Sequence, residues 1–285
     1  MLQPRPLIFS YNHSFNASPG VQRSPAFVQN NSILCLEGIL WDEIQLLGED
    51  SSIFQPLGYQ YFSGDILRIL SRIGAQYKPT NETTLRAFAR TVTVNHPDCF
   101  QDAQKTFLRK WGGMDFLGWL VDTIQAAFGT PRFLGESMLK RNPIDPEQKS
   151  KFGNDRKQSA KDRIAYLKES WDKFLQNVDV DGHVNDTLHS AHYVRQCTSF
   201  SIIFTYMYEH RRLFLTEKGY LGVAARSIQP GDIVAVLPGA RVPFALRKAD
   251  PQSDESAWRL VGEAYVHGIM AGEATSGEMQ KITIC

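Results

Sequence analysis

Glu263, Tyr265 and His267 stand two residues apart in the segment RLVGEAYVHG. On a β-strand successive side chains point to opposite faces, so these three share one face. A carboxylate, a phenol and an imidazole on one face could carry acid–base chemistry. They could equally form a closed hydrogen-bond network or present an interaction surface. Their setting favours the network. A β-rich unit of about 65 residues has little interior to spare for a ligand site, which typically needs roughly 300–1,000 Å3. The sequence predicts no enzyme, with a small hydrolase-like activity of Glu263, Tyr265 and His267 as the alternative.

Other residue groups carry less chemistry. Asp232 follows Pro230-Gly231, and its carboxylate suits the capping of backbone amides in a tight turn. Arg241 and Arg247 flank Pro243-Phe244, and a proline inside a strand marks an edge or a bulge. We treat Asp232, Arg241, Glu263, Tyr265 and His267 as structural or interaction residues. His189 and His192 are three apart, with His183 and His210 near in sequence. No Asp, Glu or Cys arrives at a familiar ligand spacing, so no metal site is expected. Neither a glycine-rich phosphate loop nor a G-x-S-x-G turn is present. Accordingly, no cofactor is expected, nor a small-molecule ligand.

Composition narrows the classes further. The 285 residues are 42% hydrophobic and 21% charged, with a net charge of +1. That balance gives no global field to attract nucleic acid or an anionic membrane. Lys149, Lys151, Arg156, Lys157, Lys161 and Arg163 form a basic run opposed by Asp155 and Asp162. It reads as a solvated loop; weak nucleic-acid binding through 149–163 is the second alternative. Cys35, Cys99, Cys197 and Cys285 have no CxxC spacing, as expected of reduced thiols in an intracellular protein. No secretory signal is visible, and the longest apolar stretch, 200–208, is too short to span a membrane. A cytoplasmic protein without membrane contacts is expected.

These residues need elements to position them. Short apolar runs at Ile233–Leu237, Val242–Leu246 and Leu260–Val266 are bounded by Gly, Pro or Asp, and Arg211–Thr216 adds a fourth. They predict a β-rich unit over 211–285. Residues 1–58 read as irregular around a strand at 33–44, where Gly38 suggests a bulge or a close backbone approach. Residues 59–210 read as helical. Apolar spacing predicts helices at 64–77, behind Asn81, at 99–110, 115–128 and 160–177, and over 186–211. In the last, Phe200, Phe204 and Met207 form a seam. The fold class is then α+β: a helical body followed by a small C-terminal β-barrel-like unit. Residues 33–41 would otherwise leave their backbone groups unpaired, so they are expected to pair into that unit.

The order PGD, hydrophobic run, G-x-x-x-PF-x-LR, then RLVGE-x-YVHGIM-x-GEA, resembles the C-terminal end of fungal heterokaryon incompatibility (HET) domain proteins. Two earlier pieces, LEGILWDEI at 36–44 and AFART at 87–91, agree with it. The resemblance spans about residues 8–274. No signature of the HET domain itself precedes Ile33, so the chain reads as the tail of such a protein, a fragment or truncated paralogue. The resemblance implies a non-enzymatic regulatory or interaction region in non-self recognition and programmed cell death, with a protein partner.

Overall fold

One strand organises the chain, and it comes from the N-terminal part. The computed structural model describes residues 15–21, 26–29, 33–50, 64–95, 207–250 and 257–285, with scattered helical positions from 165 to 176. Strand β1 is Phe27–Gln29 and β2 is Ile33–Asp50, which runs for 18 residues. Helix α1 (Asp65–Ile73) follows, then β3 (Gln76–Tyr77), β4 (Glu82–Thr83) and helix α2 (Thr84–Val92). The remaining strands are β5 (Arg211–Thr216), β6 (Leu221–Ala225), β7 (Ile233–Val236), β8 (Phe244–Lys248), β9 (Ala257–Val266) and β10 (Met279–Ile284).

These strands form an eight-stranded sheet along the path β1-β2-β5-β6-β9-β8-β7, with β10 on β2 and β9. A further pairing joins β7 to β2, so the path bends back onto its long strand. β2 reaches its several partners by bending. Its register slips between Leu40 and Asp42, between Ile44 and Leu46, and between Leu47 and Asp50. Each slip re-aims the chain, as bulges do. Gly38 serves a close approach: a Cβ there would lie 2.7 Å from Ile282 Cδ1 and 2.9 Å from Leu237 Cδ2. Residues 33–41 thus find their hydrogen-bond partners in β7 and β10.

The expected α+β architecture is corrected here. A helical body is not supported. Among the described residues of 59–210 there are two nine-residue helices, the β3–β4 pair, helical positions between 165 and 176 within the helix expected over 160–177, and helical positions at 207–208. The small C-terminal barrel-like unit is replaced by one large sheet whose longest strand is N-terminal. Apolar spacing misled because runs such as 64–77 mix two elements. Gly74 (φ 85°) ends α1, and Gln76-Tyr77 turns into a strand. The helices expected at 99–110 and 115–128, and Phe200 and Phe204 of the seam, lie outside the described residues. Met207 of that seam is buried.

The pleat sorts the side chains of β5, β6 and the end of β9 into two cores, and a third cluster gathers Ala235, Leu246, Trp258 and Ile282. Leu213, Leu215, Leu221, Val223 and Tyr265 face α1 and α2, where Ile66, Leu70 and Phe88 meet them. Phe214, Ala224, Ala264 and Val266, on the opposite face, pack with Ile39, Ile44, Val234 and Val236 of β2 and β7. β5, β6 and the last three residues of β9 are therefore buried on both sides. That is why those stretches read as apolar runs rather than alternating ones.

Candidate functional site

β9 ends at Val266, and the face that carries Tyr265 continues into His267 in the turn beyond. Gly268 (φ 99°) follows. Its missing Cβ lets Pro79 and Thr80, of the turn between β3 and β4, approach within 3.3–3.4 Å of where that atom would sit. This close docking brings Glu82 to His267 Nε2 at 2.5 Å, across 185 residues of sequence. On the other side of the ring, Nδ1 lies 3.0 Å from the Tyr265 hydroxyl. Placing the ring proton on Nε2 satisfies both partners: Nε2–H donates to Glu82, and Nδ1 accepts from Tyr265.

Tyr77 completes the cluster. Its hydroxyl accepts from Leu221 N–H at 3.0 Å and donates to His267 C=O at 2.7 Å. His267 N–H in turn donates to Leu221 C=O at 2.8 Å. The phenol is therefore wedged into the last rung of the β6–β9 ladder, replacing the return hydrogen bond. The Tyr77 and His267 rings stack at 5.6 Å. Tyr77→Phe should strand the Leu221 N–H and the His267 C=O, a loss of about 1–3 kcal/mol. Chemical denaturation reads this directly; an unmoved midpoint would contradict it.

Glu82 is the charged member of the group. Burial pushes its carboxyl up, but hydrogen bonds from His267 and Thr80, and the positive charge of Arg90, hold it below its ordinary value. Arg86 and Arg90 each lie 3.5 Å from its second oxygen. A carboxyl with a lowered folded pKa stabilises the fold above the unfolded value, and the effect is lost as pH falls through the folded one. Glu82→Gln should therefore flatten the decline in stability that the wild type shows below about pH 4.5. Thermal unfolding across pH 3–6 measures the slope; identical slopes would contradict it.

The other expected residues fall elsewhere. Glu263 shares the strand face but meets no histidine. Among the described residues its Oε2 has no hydrogen-bond partner. Burial raises its pKa, partly offset by the Arg211 charge. Asp232 is buried and caps its own turn, accepting from Gln229 N–H at 2.8 Å. It also holds Arg247 through two bonds of 2.7 and 2.9 Å, a bidentate pair. Arg247, not Arg241, is thus the partner that the sequence left unassigned. Arg241 is exposed, and its carbonyl accepts from Ala17 N–H. The basic run at 149–163 and His183, His189 and His192 lie outside the described residues. Among the described residues, no three His, Cys, Asp or Glu gather as a metal site, and no helix is long and apolar enough to cross a membrane.

Tyr77, Thr80 and Glu82 escaped sequence reasoning because their partners are distant in the chain. Chemically, the chain of groups Tyr265–His267–Glu82 could relay a proton. Its outer end is sealed, however. Tyr265 is 2% exposed, with the Phe15 ring tilted against it at 5.6 Å. Burial pushes the phenols of both Tyr77 and Tyr265 well up, so neither ionises as a nucleophile. The arrangement is a latch between the α1–α2 segment and the sheet.

The Tyr265–His267–Glu82 line and the Tyr77 phenol together tie the α1–α2 segment to the sheet. By sequence, the chain belongs to the Het-6 beta-barrel domain family, whose model matches residues 134–282. Over 65 residues it is 45% identical to heterokaryon incompatibility protein 6, OR allele, of Neurospora crassa. That match covers 23% of this chain and 9% of the relative's length. No solved structure matches the chain. β2 and the α1–α2 segment precede the family match, although β2 carries three of the sheet's ladders to later strands.

Proposed function

We propose that this chain is a non-enzymatic regulatory and interaction module of heterokaryon incompatibility, the non-self recognition that ends in cell death when unlike hyphae fuse. It acts in the cytoplasm through a protein partner. The family membership supports the setting. The observation that carries the non-enzymatic reading is the closure of Tyr265–His267–Glu82: its acidic and basic groups are spent on each other and on backbone, beneath Phe15. A hydrolase needs a nucleophile that a substrate can reach, and this phenol is covered.

The test is cellular. The chain is expressed in hyphae undergoing the incompatibility reaction, beside a Phe214→Ala variant whose emptied core should prevent folding. The wild type should shift the fraction of fused cells that die, and the variant should not. Equal survival with both would overturn the proposal.

A further inference from the structure

We propose that Cys35 and Cys285 are the two halves of a reversible disulfide that locks the end of β10 onto β2 under oxidising conditions. Both are free thiols, Cys35 half-buried and Cys285 exposed. β10 runs antiparallel to β2, and the ladder sets Cys35 opposite Thr283 and Leu34 opposite Ile284. Side chains alternate along a strand, so Cys285 shares the face of Thr283 and therefore of Cys35. Burial agrees with this placement. Leu36 and Ile282 turn into the apolar cluster with Trp258, whereas Glu37, Lys281 and the two thiols lie on the outer face.

The hydrogen bonds fix the kind of neighbour that Cys285 is. Its N–H donates to Trp258 C=O on β9, the strand on the other side of β10 from β2. Residues two apart present their N–H and C=O to the same edge, so Thr283 also bonds toward β9. Cys35 and Thr283 are then a non-hydrogen-bonded pair, the closer kind, with Cα atoms about 4.5 Å apart. The right-handed twist of paired strands swings Cys285 across toward Cys35. Diagonal neighbours stand about 7–8 Å apart at Cα, and a disulfide needs about 4.4–6.8 Å. Closure therefore takes a shift of about 1 Å beyond the end of β10. Cys285 is held there by its N–H bond and by a weak Sγ–H contact of 3.5 Å to the same carbonyl. A bond closed under strain is more easily reduced, which suits a switch rather than a permanent staple.

The oxidant is a low-molecular-weight disulfide. The exposed Cys285 thiolate attacks one of its sulfurs and expels a thiolate, leaving a mixed disulfide. The Cys35 thiolate then attacks the Cys285 sulfur and expels the second small thiolate. Two protein thiols have lost two protons and two electrons, and the small disulfide has become two thiols. The new link fastens β10, which pairs with both β2 and β9, to the long strand that organises the sheet. The inference goes beyond the proposed function and holds whether or not the chain acts in incompatibility.

The test incubates the folded, full chain with oxidised glutathione, digests it without reduction and maps the peptides by mass. A linked pair of peptides carrying Cys35 and Cys285 is expected, and dithiothreitol should separate it. The oxidised chain should melt at least about 5 °C above the reduced one, because the link closes a long loop in the unfolded chain. Cys285→Ser should melt like the wild type when reduced, and should show neither the linked pair nor the rise when oxidised. Glutathione left on Cys285 with no link to Cys35 would overturn the proposal. So would links that run only to Cys99, to Cys197 or between two copies, or a melting temperature that oxidation leaves unchanged.

Discussion

Gly222→Ala should destabilise the protein by about 3 kcal/mol, at the upper end of what overpacking a core does. Gly222 on β6 stands directly opposite Phe214 on β5. A methyl group there would lie 2.7 Å from both Cε atoms of the ring and closer still to Cζ. Phe214 is fully buried among Ile44, Ala224, Val234 and Val266, so the ring has no free space to move into. The effect is steric, because Gly222 does not adopt a positive φ. Melting temperature should fall by roughly 6–12 °C. Gly222→Ala combined with Phe214→Leu should recover part of the loss, because the smaller side chain frees the volume that the methyl takes. An unchanged melting temperature for the single variant would contradict the packing described here.

The second large effect is expected at Glu49. Helix α1 begins at Asp65 behind Gly64, which offers no side-chain cap. The first amides of a helix have no partners within it. Glu49, at the end of β2, supplies them: its two oxygens accept from Asp65 N–H at 2.7 Å and Ile66 N–H at 2.8 Å. Glu49→Ala should strand both donors and cost about 2–4 kcal/mol. Burial, and then the charge of Asp65, push the Glu49 carboxyl up. Such a group stabilises fully below its unfolded pKa, and that contribution is lost as pH rises through the folded value. Its sign is therefore opposite to that of Glu82. Glu49→Gln keeps an acceptor oxygen without the charge, so it should cost much less than alanine at neutral pH. Equal losses for the two variants would show that the carboxylate does not cap α1.

Part of this was legible in the sequence. Arg211–Thr216 forms β5 over the expected residues because a run of bulky apolar side chains between charged ends suits a strand buried on both faces. β7 and β9 lie where turn residues bounded their runs. β8 begins one residue after Pro243 because proline lacks the N–H that a ladder needs. β6 was missed: Leu221–Ala225 is short and contains Gly222, a residue usually taken to weaken a strand. Its reason is the Phe214 ring opposite, which no local pattern reveals. β10 was missed because Met279, Gln280 and Lys281 are exposed and read as polar tail.

The candidate site was half legible. Alternation correctly set Tyr265 and His267 on one face, and the tight turn correctly gave Asp232 to its own backbone. The acidic partner of His267 left no local signal: Glu263 stands on the same strand face, whereas Glu82 approaches from a separate hairpin. Long-range pairs of that kind follow from how segments dock, and docking here depends on a bare glycine at 268 and on a phenol in a ladder. Neither leaves a spacing to count.

The measurement that tests the central account most directly is a paired one on wild type and His267→Ala: thermal stability, and turnover of esterase, phosphatase and NAD-cleavage substrates. A latch predicts that the wild type turns over none of them. It also predicts that the variant loses about 1–3 kcal/mol, since Glu82 and the Tyr265 hydroxyl are left without their shared partner. Turnover by the wild type that His267→Ala eliminates, with the melting temperature unchanged, would contradict it and make the Tyr265–His267–Glu82 line a catalytic one.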